Sequence, residues 1–280
     1  MAEITAATVK SLRERTGLPM MDCKKALQDA AGDVDKAIEL LRKGGAKLME
    51  KRSGRATTSG RIAVYLSPDG KRGAMVDLRC ESAPVAANQE FTQLANDLAQ
   101  QLAEGPGAAT PDELLAQPSP SGKATSLKQQ LDDLMNRIRE VFRVERVMRL
   151  VDSQIGGYAH HNAAAGVLLE FEGTNAEIAR DICMHVAAMR PQVTTRTELD
   201  PAEVNKEREI LSAAARNEGK PESIIAKMVE GRLRDFYATR CLEDQPIANE
   251  MKFGKKTVGE AAKEAGMKLV RFVHWELPKE

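Results

Sequence analysis

The spacing of apolar residues changes along this chain from a helical period to a strand period, and this change restricts the fold more than any other feature. Near the N terminus apolar side chains recur every three or four positions, as in Val34, Ile38 and Leu41. From Arg61 onward they alternate, and a Ser-Pro-Asp-Gly turn at 67–70 separates two alternating runs. The sequence therefore predicts an α+β fold in which a helical module precedes a β-hairpin.

The N-terminal module is predicted to contain three short helices over residues 1–45. Asp22 and Asp33 are placed to cap the second and third helices, and Gly44-Gly45 to end the third. Residues 46–60 are basic and glycine-rich and predict a linker. We interpret its charge as that of a solvated tether, with a specific anionic contact as the alternative.

Two strand–helix units in the rest of the chain resemble each other. Gly73 followed by AMVDL corresponds to Gly166 followed by VLLEF, and Asn88 and Asn175 each open the next helix. The first copy takes 15 residues from its glycine to its asparagine and the second takes 9, so the first has six more. The extra residues lie in or around ESAPVAA at 81–87. An extension in one copy only is where a duplicated scaffold would carry function.

Residues 61–143 and 144–280 are predicted to form two related core subdomains, N and C. Within subdomain C, charged segments on either side of a turn at 217–221 predict a helical hairpin over 200–240, an antiparallel coiled coil that projects from the body. Residues 105–125 are rich in proline, which predicts a surface connection.

Composition argues against several classes of function. The 41 Lys and Arg balance the 41 Asp and Glu, whereas direct binding of nucleic acid normally requires a basic excess. Aromatic residues make up 4% of the chain, too few for base-stacking platforms. No apolar run approaches the roughly 20 residues that span a bilayer. The first residues lack the apolar region of a secretory signal, and the four scattered cysteines suggest reduced thiols, so we predict a cytoplasmic protein without a membrane partner.

No residue pattern predicts a catalytic or metal-binding site. His160 and His161 would point to opposite faces of a strand and could not readily share one metal ion. His160 faces either a partner or solvent, and His185 is expected to be partly buried against a sheet. Ser82 has no acid–base partner in the sequence pattern, which argues against a nucleophile. We therefore predict a protein that is not an enzyme and uses no cofactor.

Two segments are candidates for contact with a partner protein. Met20 and Met21 could enter an apolar groove, although Met21 could instead pack on Ala26 as a hydrophobic staple. The small-residue segment at 81–87 either presents backbone and Pro84 to a partner or is a plain connector.

Several long strings resemble, in order, the elongation factor Ts family. They are VKSLRERTGLPMMDCKKALQDAAGDVDKAIELLRK, GYAHHNAAAGVLL, ICMHVAAMRP, KPESIIAKMVEGRLRDFY and KTVGEAA, and together they cover nearly the whole chain. The resemblance implies an N-terminal module like the ubiquitin-associated (UBA) fold and a role in protein biosynthesis. It also implies guanine-nucleotide exchange on the GTPase elongation factor Tu, in which binding to the GDP form disturbs the nucleotide and magnesium site.

The resemblance also assigns residues to this role. Leu12, Met20 and Met21 would meet a helix of the nucleotide-binding domain of elongation factor Tu, and His160 would lie in the interface of the second subdomain. The segment that would disturb the magnesium site comprises Ser82, Ala83, Pro84, Val85 and Ala86.

This segment departs from the family pattern, which usually reads C-x-T-D-F-V-A. The family's aspartate and phenylalanine are here Ala83 and Pro84, so a carboxylate that could compete for magnesium and an aromatic wedge are both missing. One hypothesis is that a stiff loop displaces partner backbone instead. A second is a slow-exchange holder of nucleotide-free elongation factor Tu. A third, a nucleic-acid-associated coiled-coil protein that uses the basic linker, is opposed by the net charge of zero.

Overall fold

The computed structural model describes residues 4–122, 124–219 and 221–278, which form an α+β fold. Its helices and strands are, in chain order, α1 (Ala6–Thr16), α2 (Met20–Asp29), α3 (Val34–Arg52), β1 (Ser59–Leu66), β2 (Arg72–Cys80), α4 (Ala83–Ala86), α5 (Gln89–Glu104), α6 (Pro111–Leu115), α7 (Leu127–Ile138), β3 (Arg143–Val151), β4 (Gln154–Ala159), β5 (Ala165–Glu172), α8 (Ala176–Met189), α9 (Pro201–Asn217), α10 (Glu222–Arg240), α11 (Glu250–Phe253), α12 (Val258–Glu264) and β6 (Lys268–Glu276).

The strands confirm the duplication that the sequence predicts. They form two three-stranded sheets with the orders β1-β2-β3 and β4-β5-β6, and β5 pairs antiparallel with both of its neighbours. The repeated glycine motifs lie in β2 and β5, the central strands. Asn88 Oδ1 accepts the Glu90 N–H at 2.8 Å, and Asn175 Oδ1 accepts the Ile178 N–H at 3.1 Å. Both copies therefore place an asparagine cap at the start of the helix that follows the central strand.

The described residues divide into two compact units. The first comprises residues 4–63, 76–148 and 277–278, and the second comprises 64–75 and 149–276. The three-helix module and most of the predicted subdomain N thus belong to one unit. The tip of the first hairpin, residues 64–75, belongs to the second unit.

The helices α1, α2 and α3 pack around a small apolar core. The capping prediction for α3 is confirmed, because Asp33 Oδ1 accepts the N–H groups of Asp35 and Lys36, each at 3.1 Å. Gly17 ends α1 in the left-handed region at φ 68°. The buried core residues of this module are Val9, Leu12, Leu18, Cys23, Ala26, Leu27, Ala30 and Ala37.

The third helix does not end at Gly44-Gly45, so that prediction is wrong. The helix α3 continues to Arg52, and residues 46–52 of the predicted linker are helical. A Cβ atom on Gly45 would collide with the side chain of Asn136 on α7, so this glycine lets the two helices approach closely. Tertiary packing here overrides the low helix propensity of glycine. The basic tether on which the nucleic-acid hypothesis depends is correspondingly shorter.

The helix α2 begins three residues earlier than predicted. Pro19 occupies the N-cap position, and Met20, Met21 and Asp22 form the first turn. Asp22 therefore caps nothing, although its negative charge remains favourable near the helix N terminus. Its carboxylate instead binds the guanidinium of Arg139 at 2.6 Å.

The proline-rich segment at 105–125, predicted as a surface connection, also contributes to the core; Lys123 lies outside the described residues. The segment contains α6, in which Leu114 is fully buried. Asp97 on α5 is also buried, and its Oδ2 accepts hydrogen bonds from Ser121 Oγ at 2.6 Å and Gln130 Nε2 at 2.7 Å. A buried carboxylate needs such donors, and here they attach the connection to α5 and α7.

The helical hairpin of the second unit consists of α9 and α10. The ion pairs Arg216–Glu222 at 2.7 Å and Arg208–Glu230 at 3.2 Å fix the two helices as antiparallel. Lys220 of the predicted turn lies outside the described residues. The buried residues of the hairpin and its base are Leu199, Ala215, Ile225, Val229, Leu233, Phe236 and Cys241.

His185 on α8 is more deeply buried than predicted and is held as a neutral imidazole. The Ala248 N–H donates to its Nδ1 at 3.1 Å, so Nδ1 carries no proton. The protonated Nε2 then donates to Gln245 Oε1 at 2.9 Å. Burial lowers the pKa of His185 below its usual value of 6.5, although the bond to Gln245 opposes the shift.

The protein should lose stability on mild acidification because of His185. In the unfolded chain its pKa is about 6.5. The stabilising contribution is therefore complete above that pH and is lost as the pH falls from there toward the lower folded pKa. We expect thermal unfolding between about pH 7.5 and about pH 5.5 to show a weaker pH dependence in His185→Gln than in the wild type. His161→Gln, at an exposed site, is the control and should retain the wild-type slope.

Candidate functional site

The segment predicted as a loop is a single helical turn, α4. Ser82 is its N-cap residue, and Pro84 lies within the first turn, where a missing N–H breaks no helical hydrogen bond. Ala83 and Pro84 are both exposed to solvent. The helix therefore presents a small apolar surface with a fixed backbone.

Ser82 is held by a residue far away in the sequence. Glu140 Oε1 accepts the Ser82 hydroxyl at 2.6 Å, and Glu140 Oε2 accepts the Ser82 N–H at 3.1 Å. The Cys80 thiol lies 3.2 Å from the Ser82 carbonyl oxygen. The sequence pattern did not reveal this carboxylate. Because both of its oxygens bond to one residue, Glu140 fixes the start of α4.

The residues flanking α4 are bonded as well. Glu81 Oε1 accepts the Val141 N–H at 2.8 Å, and Glu81 Oε2 accepts Arg55 Nη1 at 3.0 Å. Burial acts to raise the pKa of Glu81, but these two hydrogen bonds act against burial and the pKa is lowered. At the other end, Arg61 Nη1 donates to the Ala86 carbonyl at 3.1 Å. The turn is thus tethered on both sides of its exposed tip.

The two methionines predicted as contacts lie on the surface of the same unit. Met20 is 41% exposed and Met21 is 70% exposed, so Met21 does not pack on Ala26 as a staple. Leu12, in contrast, is 1% exposed within the core of the three-helix module. Leu12 thus belongs to the core of the module, and its role as a partner contact stays a prediction.

The structure connects these two exposed segments through α7. Asp22, next to Met21 in α2, bonds to Arg139, the residue that ends α7. Glu140 follows Arg139 directly and bonds to Ser82. Met20-Met21 and α4 are therefore attached to neighbouring residues in the short segment between α7 and β3. Neither Arg139 nor Glu140 carries a local sequence signal for this role, since the bonded residues are remote along the chain.

His160 lies in the second unit, in the turn that follows β4. Its Nδ1 is 2.7 Å from Asn162 Oδ1, and its ring lies 4.1 Å from that of His161, centroid to centroid. The expectation that the two rings point to opposite faces of a strand is wrong, because the strand ends at Ala159. The role of His160 in an interface stays a prediction.

Comparison with known proteins decides the family. The family model described as Elongation factor TS matches residues 84–279. The chain belongs to the elongation factor Ts family. Proteins named elongation factor Ts from Thioalkalivibrio sulfidiphilus and Corynebacterium urealyticum are each 41% identical to it, over 98% and 99% of this chain and 92% and 99% of their own lengths. One from Streptomyces ramocissimus is 38% identical over 97% of this chain and 98% of its own length. This family member is therefore a translation elongation factor.

Other types of site have no counterpart in the part of the chain that the structure describes. In residues 4–122, 124–219 and 221–278, no group of three or more His, Cys, Asp or Glu side chains could hold a metal ion. Among the same residues, no helix of this elongation factor combines the length and the apolar character needed to cross a bilayer. The four cysteines are buried and form no disulfide.

Proposed function

We propose that this protein is a guanine-nucleotide exchange factor that binds the GDP form of elongation factor Tu and promotes the release of GDP. Membership of the elongation factor Ts family supports the partner. The observation that carries the proposal is the exposed tip of α4, Ala83 and Pro84, on a backbone tethered at Ser82 and Ala86. The protein acts by binding and is not itself an enzyme.

The exchange activity follows from a difference in affinity. The protein binds nucleotide-free elongation factor Tu more tightly than the GDP form, and reciprocity then requires GDP and this protein to weaken each other's binding. A protein with equal affinity for both forms would shift nothing. Calorimetric affinities for the two forms should therefore differ, and equal values would contradict the proposal.

The helix α4 supplies this difference by shape. Magnesium requires nearly ideal octahedral geometry, so a small displacement of the backbone around it weakens GDP binding. Ala83 and Pro84 carry neither a charge nor an aromatic ring, so the displacement comes from a stiff turn that does not yield on contact. The tethers through Glu140 and Arg61 provide that stiffness.

The direct test is stopped-flow release of a fluorescent GDP analogue from elongation factor Tu. At saturating concentrations of this protein we expect the release rate to rise by at least about tenfold, which corresponds to about 1.4 kcal/mol of the barrier. An unchanged rate at saturation would eliminate the exchange function.

A slow-exchange holder of nucleotide-free elongation factor Tu is the second candidate. The specific observation in its favour is that Ala83 and Pro84 stand where the family's aspartate and phenylalanine are usual. Such a protein would bind the nucleotide-free form tightly without accelerating release. It shares every other contact with the exchange factor, so only the effect of α4 separates the two.

Substituting the residues that are usual in the family tests how strongly the native α4 accelerates GDP release. We expect the double substitution Ala83→Asp with Pro84→Phe to change the maximal rate of GDP release by less than about tenfold, because the native turn already disturbs the site. A gain well above that factor would favour the holder. Ala87→Asp places a carboxylate on a neighbouring exposed residue and is the matched control, with no expected gain.

A further inference from the structure

Three consecutive residues after α7 bond to two separate places in the first unit. Arg139 Nη2 donates to Asp22 Oδ2 at 2.6 Å, and Glu140 binds Ser82 through both carboxylate oxygens. The Val141 N–H donates to Glu81 Oε1 at 2.8 Å. We name residues 139–141 the bridging segment. It joins the first turn of α2, which carries Met20-Met21, to the start of α4.

The backbone at Arg139 indicates that the bridging segment is held in place by its bonds. Arg139 has φ 67° in the left-handed region and ends α7 with its N–H bonded to the Met135 carbonyl at 2.8 Å. Glycine is the usual residue at such a position, because a side chain there is unfavourable. Here the Arg139 side chain binds Asp22, and the backbone carbonyl of Arg139 accepts a hydrogen bond from Arg52. The surrounding contacts therefore compensate for a conformation that arginine does not prefer.

The bond between Arg139 and Asp22 is a poor candidate for a purely stabilising contact. The two side chains are 32% and 46% exposed, and ion pairs of that kind contribute little to folding because solvent screens them. Its geometric effect is larger, because it fixes the start of α2 to the residue next to the one that holds Ser82. The pair thus links α2 to the residue beside Glu140 while contributing little to stability.

We propose that the bridging segment is a positioning element that sets the distance between Met20-Met21 and α4, so that one partner engages both segments at once. This inference rests on the proposed function. When two contacts belong to one rigid body, the second forms at a high effective concentration after the first. Preorganisation also avoids the entropy cost of ordering the two segments during binding. Arg139 acts on the affinity through α2, and Glu140 acts on the exchange step through α4.

Arg139→Gly is the sharpest test of the claim that Arg139 acts on the affinity through α2. Glycine keeps the left-handed backbone and removes only the side chain that binds Asp22. In stopped-flow GDP release we expect the half-saturating concentration to rise about tenfold with a maximal rate within about twofold of the wild type. Arg139→Lys, which keeps the charge, should recover part of the loss. An unchanged half-saturating concentration would overturn this role of Arg139.

Glu140→Ala tests the claim that Glu140 acts on the exchange step through α4. It frees the N–H and hydroxyl of Ser82, so α4 loses its fixed start. We expect the maximal rate of GDP release to fall about fivefold, with a smaller change in the half-saturating concentration. Glu140→Gln retains one acceptor oxygen and should fall in between. If the maximal rate is unchanged, α4 does not depend on Glu140 for its action.

A double-mutant cycle distinguishes positioning from general destabilisation. If Arg139 acts through Met20-Met21, then Arg139→Gly should change the half-saturating concentration by less than about twofold once both methionines are alanine. Full additivity of the two changes would contradict the proposal. Lys128→Ala is the matched control, because Lys128 lies in α7 and loses only an exposed ion pair with Asp132 on the same helix. It should match Arg139→Gly in melting temperature but leave exchange unchanged.

The failure of the proposed function is distinguishable from the failure of this inference. If the wild type does not accelerate GDP release, the exchange function is lost. Calorimetric affinity for nucleotide-free elongation factor Tu then tests the bridging segment by itself. A weaker affinity of Arg139→Gly relative to Lys128→Ala supports the positioning role, and equal affinities overturn it.

Discussion

Removal of the Asp77 carboxylate is expected to lower the free energy of unfolding by roughly 3–5 kcal/mol, the largest effect of any single substitution considered. Asp77 on β2 is fully buried and accepts hydrogen bonds from Arg79 Nη2 at 2.7 Å and Arg146 Nε at 3.0 Å. Arg79 is itself buried, with 7% of its side chain exposed. Asp77→Ala would leave that guanidinium buried without its counter-ion, which is far more costly than losing a surface pair. Urea unfolding of the full chain measures the loss.

Two further variants show whether the charge is the cause. Asp77→Val combined with Arg79→Met replaces the pair by apolar side chains and should recover most of the lost stability, since no buried charge is left behind. Glu172→Ala breaks the exposed pair with Lys268 and should cost at most about 1 kcal/mol. A loss below about 1 kcal/mol in Asp77→Ala would show that the ion cluster does not stabilise the sheet.

The second large effect is expected from Leu12→Ala, which should destabilise the three-helix module by about 2–5 kcal/mol. The side chain is enclosed by the other buried residues of α1, α2 and α3, so its removal leaves a cavity in a core of only eight buried residues. Binding to elongation factor Tu should weaken as a consequence of that loss of structure. Hydrogen exchange of α1–α3 in the full chain reports the loss of structure. The affinity of the same variant for elongation factor Tu reports the loss of binding.

The control for Leu12 is another core residue that was not predicted as a contact. Val9→Ala removes a buried side chain from the same core and should reduce hydrogen-exchange protection and affinity together, to a smaller extent. Leu12→Met conserves volume and should retain both. If Leu12→Ala weakens binding while α1–α3 keep full protection, Leu12 contacts the partner directly and its burial is not the reason for its effect.

Local chemistry made several parts of the fold predictable. Asp33, Asn88 and Asn175 cap helices as their side chains suggest, because a capping bond spans only two or three residues. Thr257 and Glu260 form a capping box, another device that spans only three residues. The repeated glycine motifs identified the central strands of both sheets. Such features depend on neighbours in the sequence, so one sequence is enough to reveal them.

The errors have a common physical cause in contacts between distant residues. Gly45 suggested a helix end, but the close approach of Asn136 makes it an interior position of α3. The alternating pattern of β2 identified one apolar face, but nothing in it indicated that Asp77 on the other face would be buried in an ion cluster. Resemblance alone made Leu12 a candidate contact, and the structure adds that the small module needs this side chain for its core.

The sequence by itself determined the fold class, the duplication and most of the helix caps, and it singled out Met20-Met21 and 82–86 as predicted partner contacts. Only the tertiary structure decided that Leu12 is enclosed, that the second segment is a tethered helical turn, and that Arg139 and Glu140 connect the two. The reason is one of range, since propensity and capping act over a few residues. The bridging bonds join residues 22, 82 and 139–140, which only the packing of the folded chain brings together.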